Sequence, residues 1–301
     1  MPHVEPASAV PQAQRGWLSP ATRRELGRQW YRFRKRPVAV IGLLIVLAFV
    51  VVALITPWIA PYDATTPDFG KILAKPGGSH LLGTDELGRD IFSRILYGSR
   101  ISLLVGLVAV GLAAIVGVPL GLTSGYYGGT FDNLVMRAMD VLMAFPSILL
   151  AIVIVSILGP NLQNAVIAVG VFTVPAFARL ARGEVLGIKN QEYIEAARAM
   201  GASDAWIITW HILPNIISPL IVWSTLNVSS AILTAAGLGF LGLGAQPPSP
   251  EWGAMLAKGR EYLLVAPHLS TYPGLAILIL ALGLNLLGDG LRDVLDPKLK
   301  E

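Results

Sequence analysis

The apolar positions of this chain are gathered into long blocks separated by shorter polar stretches. The first block is 38–60, VAVIGLLIVLAFVVVALITPWIA, and others follow at 101–123, 138–158, 162–181, 213–236 and 270–288. Each is close to the roughly 20 residues that an α-helix needs to cross a hydrocarbon layer about 30 Å thick. The pattern predicts an all-α membrane protein with about six transmembrane helices.

Composition agrees and narrows the field. Of the 301 residues, 54% are hydrophobic and only 14% are charged, against about 25% charged in soluble domains, and the mean hydropathy is +0.62. Disordered, fibrous and soluble-enzyme readings are excluded. Cysteine is absent, which removes disulfide frameworks, thiolate metal sites and thiol nucleophiles. The four histidines, His3, His80, His211 and His268, are scattered with no metal-ligand spacing.

Charge then gives an expected orientation. Residues 1–37 form a basic N-terminal segment carrying Arg15, Arg23, Arg24, Arg28, Arg32, Arg34, Lys35 and Arg36. The apolar run behind it is longer than the core of a secretory signal peptide, so it reads as a retained helix, and the positive-inside rule places the N-terminus in the cytoplasm. Alternation then puts 61–100, 159–161 and 237–269 outside, with 124–137, 182–212 and 289–301 inside. Arg137, Arg182, Lys189, Arg198, Arg292, Lys298 and Lys300 fall on the cytoplasmic side, although Lys71, Lys75, Arg89, Arg94 and Arg100 lie in the first outer segment. The expected organisation is a cytoplasmic segment 1–37, a first span 38–60, an outer loop 61–100, a transmembrane core 101–290 and a cytoplasmic tail 291–301.

Within the spans, Pro119, Pro146, Pro175, Pro214 and Pro219 stand beside Gly106, Gly111, Gly117, Gly121, Gly170 and Gly283. Such residues let helices kink and approach closely. The stretch 61–80, with Pro61, Pro67, Pro76, Gly77 and Gly78, reads as an irregular loop. The basic N-terminal stretch is a topology signal beside an anionic leaflet, and no nucleic-acid motif accompanies it.

The most informative polar segment is 182–214, RGEVLGIKNQEYIEAARAMGASDAWIITWHILP. Glu192, Glu195 and Arg198 are at helical spacing, Gly201 stands where a C-terminal cap would, and Ser203 or Asp204 can cap the next helix. It predicts a helix-turn-helix. The small pair Ala196 and Ala197 is flanked by charge, a composition that lets another protein's surface come close to the backbone.

The run Glu195-Ala196-Ala197, Gly201, Leu213-Pro214 resembles the EAA loop, E-A-A-x-x-x-G-x(9)-I-x-L-P, of the permease subunits of bacterial and archaeal ABC importers. Its spacing is kept, with His211 in place of the usual Ile. Further stretches resemble the DppC/OppC-like permeases of dipeptide, oligopeptide and nickel importers. They include Gly83-Thr84-Asp85, Gly88-Arg89-Asp90, Ser93-Arg94, Asp132, Met136-Arg137, Asp140, Ala144-Phe145-Pro146, Phe240-Leu241-Gly242-Leu243-Gly244, Gln246-Pro247-Pro248, Trp252-Gly253 and Asn285–Asp293. The likeness covers about residues 30–298.

The resemblance implies a type I importer fold in the cell membrane and an assembly. It implies a second, DppB/OppB-like permease subunit, two cytoplasmic ATPase subunits and an extracytoplasmic substrate-binding protein, in contact with membrane lipid. This chain is then expected to bind no cofactor, ATP and Mg being used by the ATPase partners. Glu195, Ala196, Ala197, Gly201, Leu213 and Pro214 are the expected coupling residues, with both alanines seated in a cleft of the ATPase. Segments 61–100 and 237–269 are the expected outer docking surface.

Competing chemistry is weak. Gly237–Gly242 matches G-x-G-x-x-G, but no strand–turn–helix context surrounds it, and Gly70-Lys71 lacks the rest of a Walker A motif. Asp140, Asp289 and Arg292 lie near span ends and read as structural ion-pairing groups. Asn164, Asn227, Ser229, Ser230 and Asn285 either line a path or bond between helices. An ion-gradient-driven secondary transporter would call for ionisable residues at mid-membrane and inverted repeats. A membrane hydrolase would call for a nucleophile with a base in reach. The sequence offers neither constellation.

Overall fold

The computed structural model describes residues 27, 28 and 30–295. Expectations for the remaining N-terminal residues and for 296–301, including Lys298 and Lys300, lie outside the described residues. Ten α-helices organise the described part: α1 (Pro37–Ile59), α2 (Ile91–Tyr127), α3 (Gly129–Ala144), α4 (Ser147–Leu158), α5 (Leu162–Ile188), α6 (Glu192–Ala199), α7 (Asp204–Ile207), α8 (Leu213–Phe240), α9 (Trp252–Gly259) and α10 (His268–Leu295). No strand occurs among the described residues, only isolated bridges such as Thr84 to Asp90. Five helices are long and apolar enough to cross a membrane, or six if α3 and α4 are counted as one bent span.

That bent pair occupies the expected span at 138–158, begins earlier, at Gly129, and breaks near Pro146. α3 and α4 meet at 90°. Phe145 is extended (φ −86°, ψ 137°) and Pro146 begins the new direction. The proline ring excludes helical geometry from the residue before it and offers no N–H to continue the ladder. At 12 residues, α4 alone is about 18 Å long.

The second span also begins earlier than its apolar run. Asp90 accepts from Ser93 N at 2.8 Å and caps α2 at Ile91, so a helix of 37 residues forms, about 55 Å long and well beyond a hydrocarbon layer. Asn161 caps α5 through Asn164 N at 2.8 Å. Glu251 caps α9 through Gly253 N at 2.8 Å and Ala254 N at 2.7 Å. Burial pushes the Glu251 carboxyl above its ordinary pKa, against those two bonds.

α2 and α5 form the centre. Gly117, Gly121 and Gly125 recur every fourth residue on one face of α2, where a methyl would lie 2.6 Å from the Val174 carbonyl oxygen, 2.2 Å from that of Ala178 and 2.9 Å from Val185 Cβ. This is the small-xxx-small approach of membrane helices. Phe177, Ala178, Ala181 and Val185 on α5 are fully buried against it. α1 leans on α10 by similar means: Gly42 against Leu286 and Leu287, Gly283 against Ile45, Gly290 against Ala39.

The loop between α1 and α2 is irregular but tied. Asp85 accepts from Arg89 Nε at 2.7 Å and lies 3.4 Å from Arg94. Arg94 in turn donates to the Ala64 carbonyl at 2.6 Å and to that of Pro248 at 3.4 Å. His80 and Asp90 lie 2.9 Å apart. The Gly83–Arg94 stretch thus joins the α1–α2 loop to the residues before α9, and its buried charges, Asp85, Arg89, Asp90 and Arg94, are paired as buried charges must be.

Candidate functional site

The segment after α5 lies at one end of the bundle. α5 closes at Ile188, and Lys189 Nζ donates to the Gly125 carbonyl at 2.9 Å. α6 follows, then Met200 and Gly201. Gly201 has φ +84°, a left-handed conformation that reverses the chain and that side-chain-bearing residues adopt at a cost. Ser203 then caps α7 through Trp206 N. Asp204, offered with Ser203 as a cap, instead accepts from the Tyr126 hydroxyl at 2.6 Å.

The second arm differs from a simple helix-turn-helix. α7 passes through a π turn, Ile208–Ile212, straight into α8, and Asp204–Phe240 forms one 37-residue apolar rod. Within the turn Leu213 N reaches back to the Ile208 carbonyl, one residue further than in an α-helix. The turn precedes Pro214, which has no N–H to give, and Asn215 Nδ2 supplies a bond to the His211 carbonyl at 2.6 Å. Leu213 and Pro214 therefore lie inside a continuous helix, Leu213 half-buried and Pro214 exposed.

Polar contacts fix the segment to the end of α2. Arg198 donates to the Tyr126 hydroxyl at 3.3 Å and stands over its ring, 5.7 Å from the centroid. Arg182 holds Asp132 with two bonds of 2.6 Å, and Ser124 Oγ donates to the same carboxylate. Apolar contacts complete the seat, since Ile194, Ile207 and Ile212 are fully buried.

The expected coupling residues divide accordingly. Glu195, Ala196 and Gly201 are exposed. Ala197 is 2% exposed and belongs to the central core. Three residues after Ile194 on the same helical face, its methyl points into this chain, which corrects the expectation that both alanines seat in a partner's cleft. What does protrude is an apolar ridge that sequence reading missed: Met200 (82% exposed), Trp210 (69%), Trp206 (46%) and Tyr193 (39%). Tyr193 and Trp206, exposed on opposite arms, with His211 between them at 6.2 and 4.6 Å, were the available signal.

Other candidates resolve into structural roles or open positions. Asp140 pairs with Arg179, whereas Asp289 and Arg292 are exposed and form no ion pair among the described residues. Asn164 donates to the Leu158 and Gly159 carbonyls, both at 2.9 Å. Ser229 bonds the Ala281 carbonyl between α8 and α10 at 3.2 Å, and Asn227 bonds within its own helix. Ser230 and Asn285 are exposed. Gly237–Gly242 closes α8 and has no strand before it.

Comparison with known proteins agrees with this architecture. Residues 117–301 match the family "Binding-protein-dependent transport system inner membrane component", and residues 26–76 match the "N-terminal TM domain of oligopeptide transport permease C". The chain is 52% identical over 272 residues to the glutathione transport system permease protein GsiD of Escherichia coli O157:H7, covering 90% of each chain. It is 51% identical over the same length and coverage to that of Pectobacterium atrosepticum. The fold is similar to the inward-facing MetNI methionine ABC transporter in two crystal forms. There the TM-score is 0.55 in both, at 22% and 23% identity, covering 67% and 68% of this chain and 96% and 97% of the other. ATP hydrolysis in such importers is carried by separate ATPase subunits, and the permease works in a complex with them, with other permease subunits and with binding proteins. The chain belongs to the binding-protein-dependent permeases of ABC importers, in their DppC/OppC-like branch, with the type I importer fold.

Proposed function

We propose that this chain forms half of the translocation path for di- or oligopeptides or a related small solute, glutathione and nickel among them, in a bacterial or archaeal inner membrane. Its N- and C-termini lie in the cytoplasm, and the other half is a DppB/OppB-like subunit. Two ATPase subunits bind ATP and Mg on the cytoplasmic side, this chain holding neither, and a binding protein delivers cargo to segments 61–100 and 237–269. The peptide-like cargo rests on the likeness to the glutathione permeases.

Coupling passes through residues 182–214. The observation that carries this is the union of exposed apolar side chains with a continuous helix: Met200, Trp206 and Trp210 protrude, and α7 continues through the π turn into α8. With no loop between the two, closure of the ATPase pair against those side chains moves α8. Glu195 and Ala196 contact the ATPase rim. Gly201 sets the angle between the arms, Ala197 fastens α6 to the core, and Leu213 and Pro214 carry the displacement into the membrane. ATP and loaded binding protein drive alternating access by binding the inward- and outward-open states unequally.

The cysteine-free chain supplies the test. Met200→Cys, co-expressed with candidate ATPase subunits carrying single cysteines, is expected to cross-link in membranes with a yield that changes on adding ATP. Absence of any cross-link from correctly inserted protein overturns the coupling role.

A further inference from the structure

The segment just before α1 is the least accounted for by transport. Residues 30–34 are helical, and within 28–36 stand five cations, Arg28, Arg32, Arg34, Lys35 and Arg36. Only Arg36 meets a carboxylate among the described residues, Asp293 at the end of α10. Phe33 is buried and packs with Ala39 and Val294, beside Leu287 and Leu291, so the segment is seated on the last helix by one side. Beside Phe33, and stacked on it at 5.8 Å, stands Trp30 (53% exposed), while the other side presents Tyr31 (61% exposed), whose ring lies 4.5 Å from Lys35 Nζ.

Position decides what covers that side. α1 starts at Pro37, and its first turns expose Val38, Ile41 and Leu44. Only 17% of the apolar centre of α1 is buried by the rest of the chain, which leaves most of its surface open to lipid. A bilayer that α1 enters at its first apolar turns has its headgroups level with residues 28–36. Exposed Trp and Tyr at the level where a span begins favour the boundary between headgroup and acyl chain, and clustered cations immediately outside a span attract anionic lipid.

We propose that residues 28–36 are a binding surface for anionic phospholipid of the cytoplasmic leaflet. Arg28, Arg32, Arg34 and Lys35 contact headgroup phosphate, while Trp30 and Tyr31 lie along the glycerol level. Phe33 and the Arg36–Asp293 pair hold the surface against α10, so bound lipid braces α1 to the last helix. The inference rests on the cytoplasmic placement of the N-terminus proposed above.

The test uses the full chain with its co-expressed partner subunits in nanodiscs of phosphatidylcholine. Gly27→Cys, at an exposed position with open space around it, carries a fluorophore. Its quenching by brominated phosphatidylglycerol is compared with that by brominated phosphatidylcholine at equal mole fraction. The anionic lipid is expected to quench several-fold more effectively, since each basic residue near such a surface adds roughly fivefold to affinity. The combined Arg28→Gln, Arg32→Gln, Arg34→Gln and Lys35→Gln variant should bring the ratio near one, while the matching set of Arg→Lys changes should preserve it. Equal quenching by both lipids, quenching by neither, or a ratio indifferent to the Gln changes overturns the proposal. An impermeant maleimide reports the topology separately. Labelling of the Gly27→Cys protein from the outer face of intact cells would overturn the orientation, whatever the quenching shows.

Discussion

α1 and α5 differ in a way that reverses the rule for soluble proteins. α1 has the most apolar centre of the five long helices, yet 17% of it is buried within the chain; α5 is among the least apolar of them, and 61% of its centre is buried. α5 packs on α2, whereas the rest of this chain leaves most of α1 open to lipid. Lipid is as apolar as leucine, so no hydrophobic force draws large side chains inward. The interior is instead marked by residues that let backbones meet: Gly117, Gly121 and Gly125 on α2 facing Ala178, Ala181 and Val185 on α5. High hydropathy marks the surface, and small residues with paired polar groups mark the core.

The sharpest way to break the comparison is to insert the same bulk at both contacts, beginning at the centre. At Gly121 a new side chain meets the Ala178 carbonyl and Ala181 Cβ at once, with α5 held on its far side. Gly121→Leu is expected to cost more than ~3 kcal/mol, at or beyond the upper end of overpacking effects. The purified protein should lose its monodisperse elution and much of its thermal midpoint. A midpoint near that of the parent would mean that α2 and α5 part freely.

Next in size is the less exposed polar clamp of α5. Arg182 and Asp132 share two bonds, with the carboxylate side chain 11% exposed and the guanidinium 33% exposed. Asp132→Asn leaves the arginine with a neutral partner, and because water reaches the arginine the loss is expected at ~1–3 kcal/mol, short of a fully buried pair. Chemical denaturation of the parent and the variant in one detergent measures it. The counterpart at the end of α1, Arg36 with Asp293, is exposed on both sides, and Asp293→Asn should cost under ~1 kcal/mol.

Gly42→Leu repeats the first experiment at the edge. A methyl there would lie 2.5 Å from Leu287 N, against 2.2 Å from the Ala178 carbonyl oxygen at Gly121. The outcome should be milder, ~1–2 kcal/mol, because α1 can tilt away into lipid and exchange one apolar surface for another. Thermal midpoints of the two leucine variants, measured side by side, test whether their ranking follows what lies behind each helix.

The sequence disclosed these regions unequally, for a physical reason. Apolar blocks located α1, α2, α5, α8 and α10, since each must face lipid somewhere along its length. Hydropathy could not show that α2 starts at Ile91, because that start is made by the Asp90 cap and by charges whose partners lie far off in sequence, Arg94 with the Pro248 carbonyl among them. Nor could it show the 90° bend, although Pro146 was visible as a point of weakness. The segment 182–214 was legible in its turn, where Gly201 and Ser203 act locally. It was misread at Ala197, whose inward direction depends on the seating of Ile194. The Tyr126–Asp204 bond joins residues 78 apart in sequence, and no local pattern announces it.

The smallest effect is expected on the outer face of α1, and it carries the comparison to its limit. Leu54 is 66% exposed. If lipid covers it, Leu54→Ala trades one apolar contact for another and should move stability by no more than ~0.5 kcal/mol, read as an unchanged thermal midpoint of the assembled complex. A protein partner packed on that face would make the same change resemble core truncation, at ~2–5 kcal/mol. The position thus reports what covers α1 in the assembly. An unchanged midpoint leaves α1 facing lipid, with its small-residue seat on α10 as its attachment, whereas a loss of core size would place the second permease subunit against Leu54 and make the helix that is outermost in this chain an interior one in the complex.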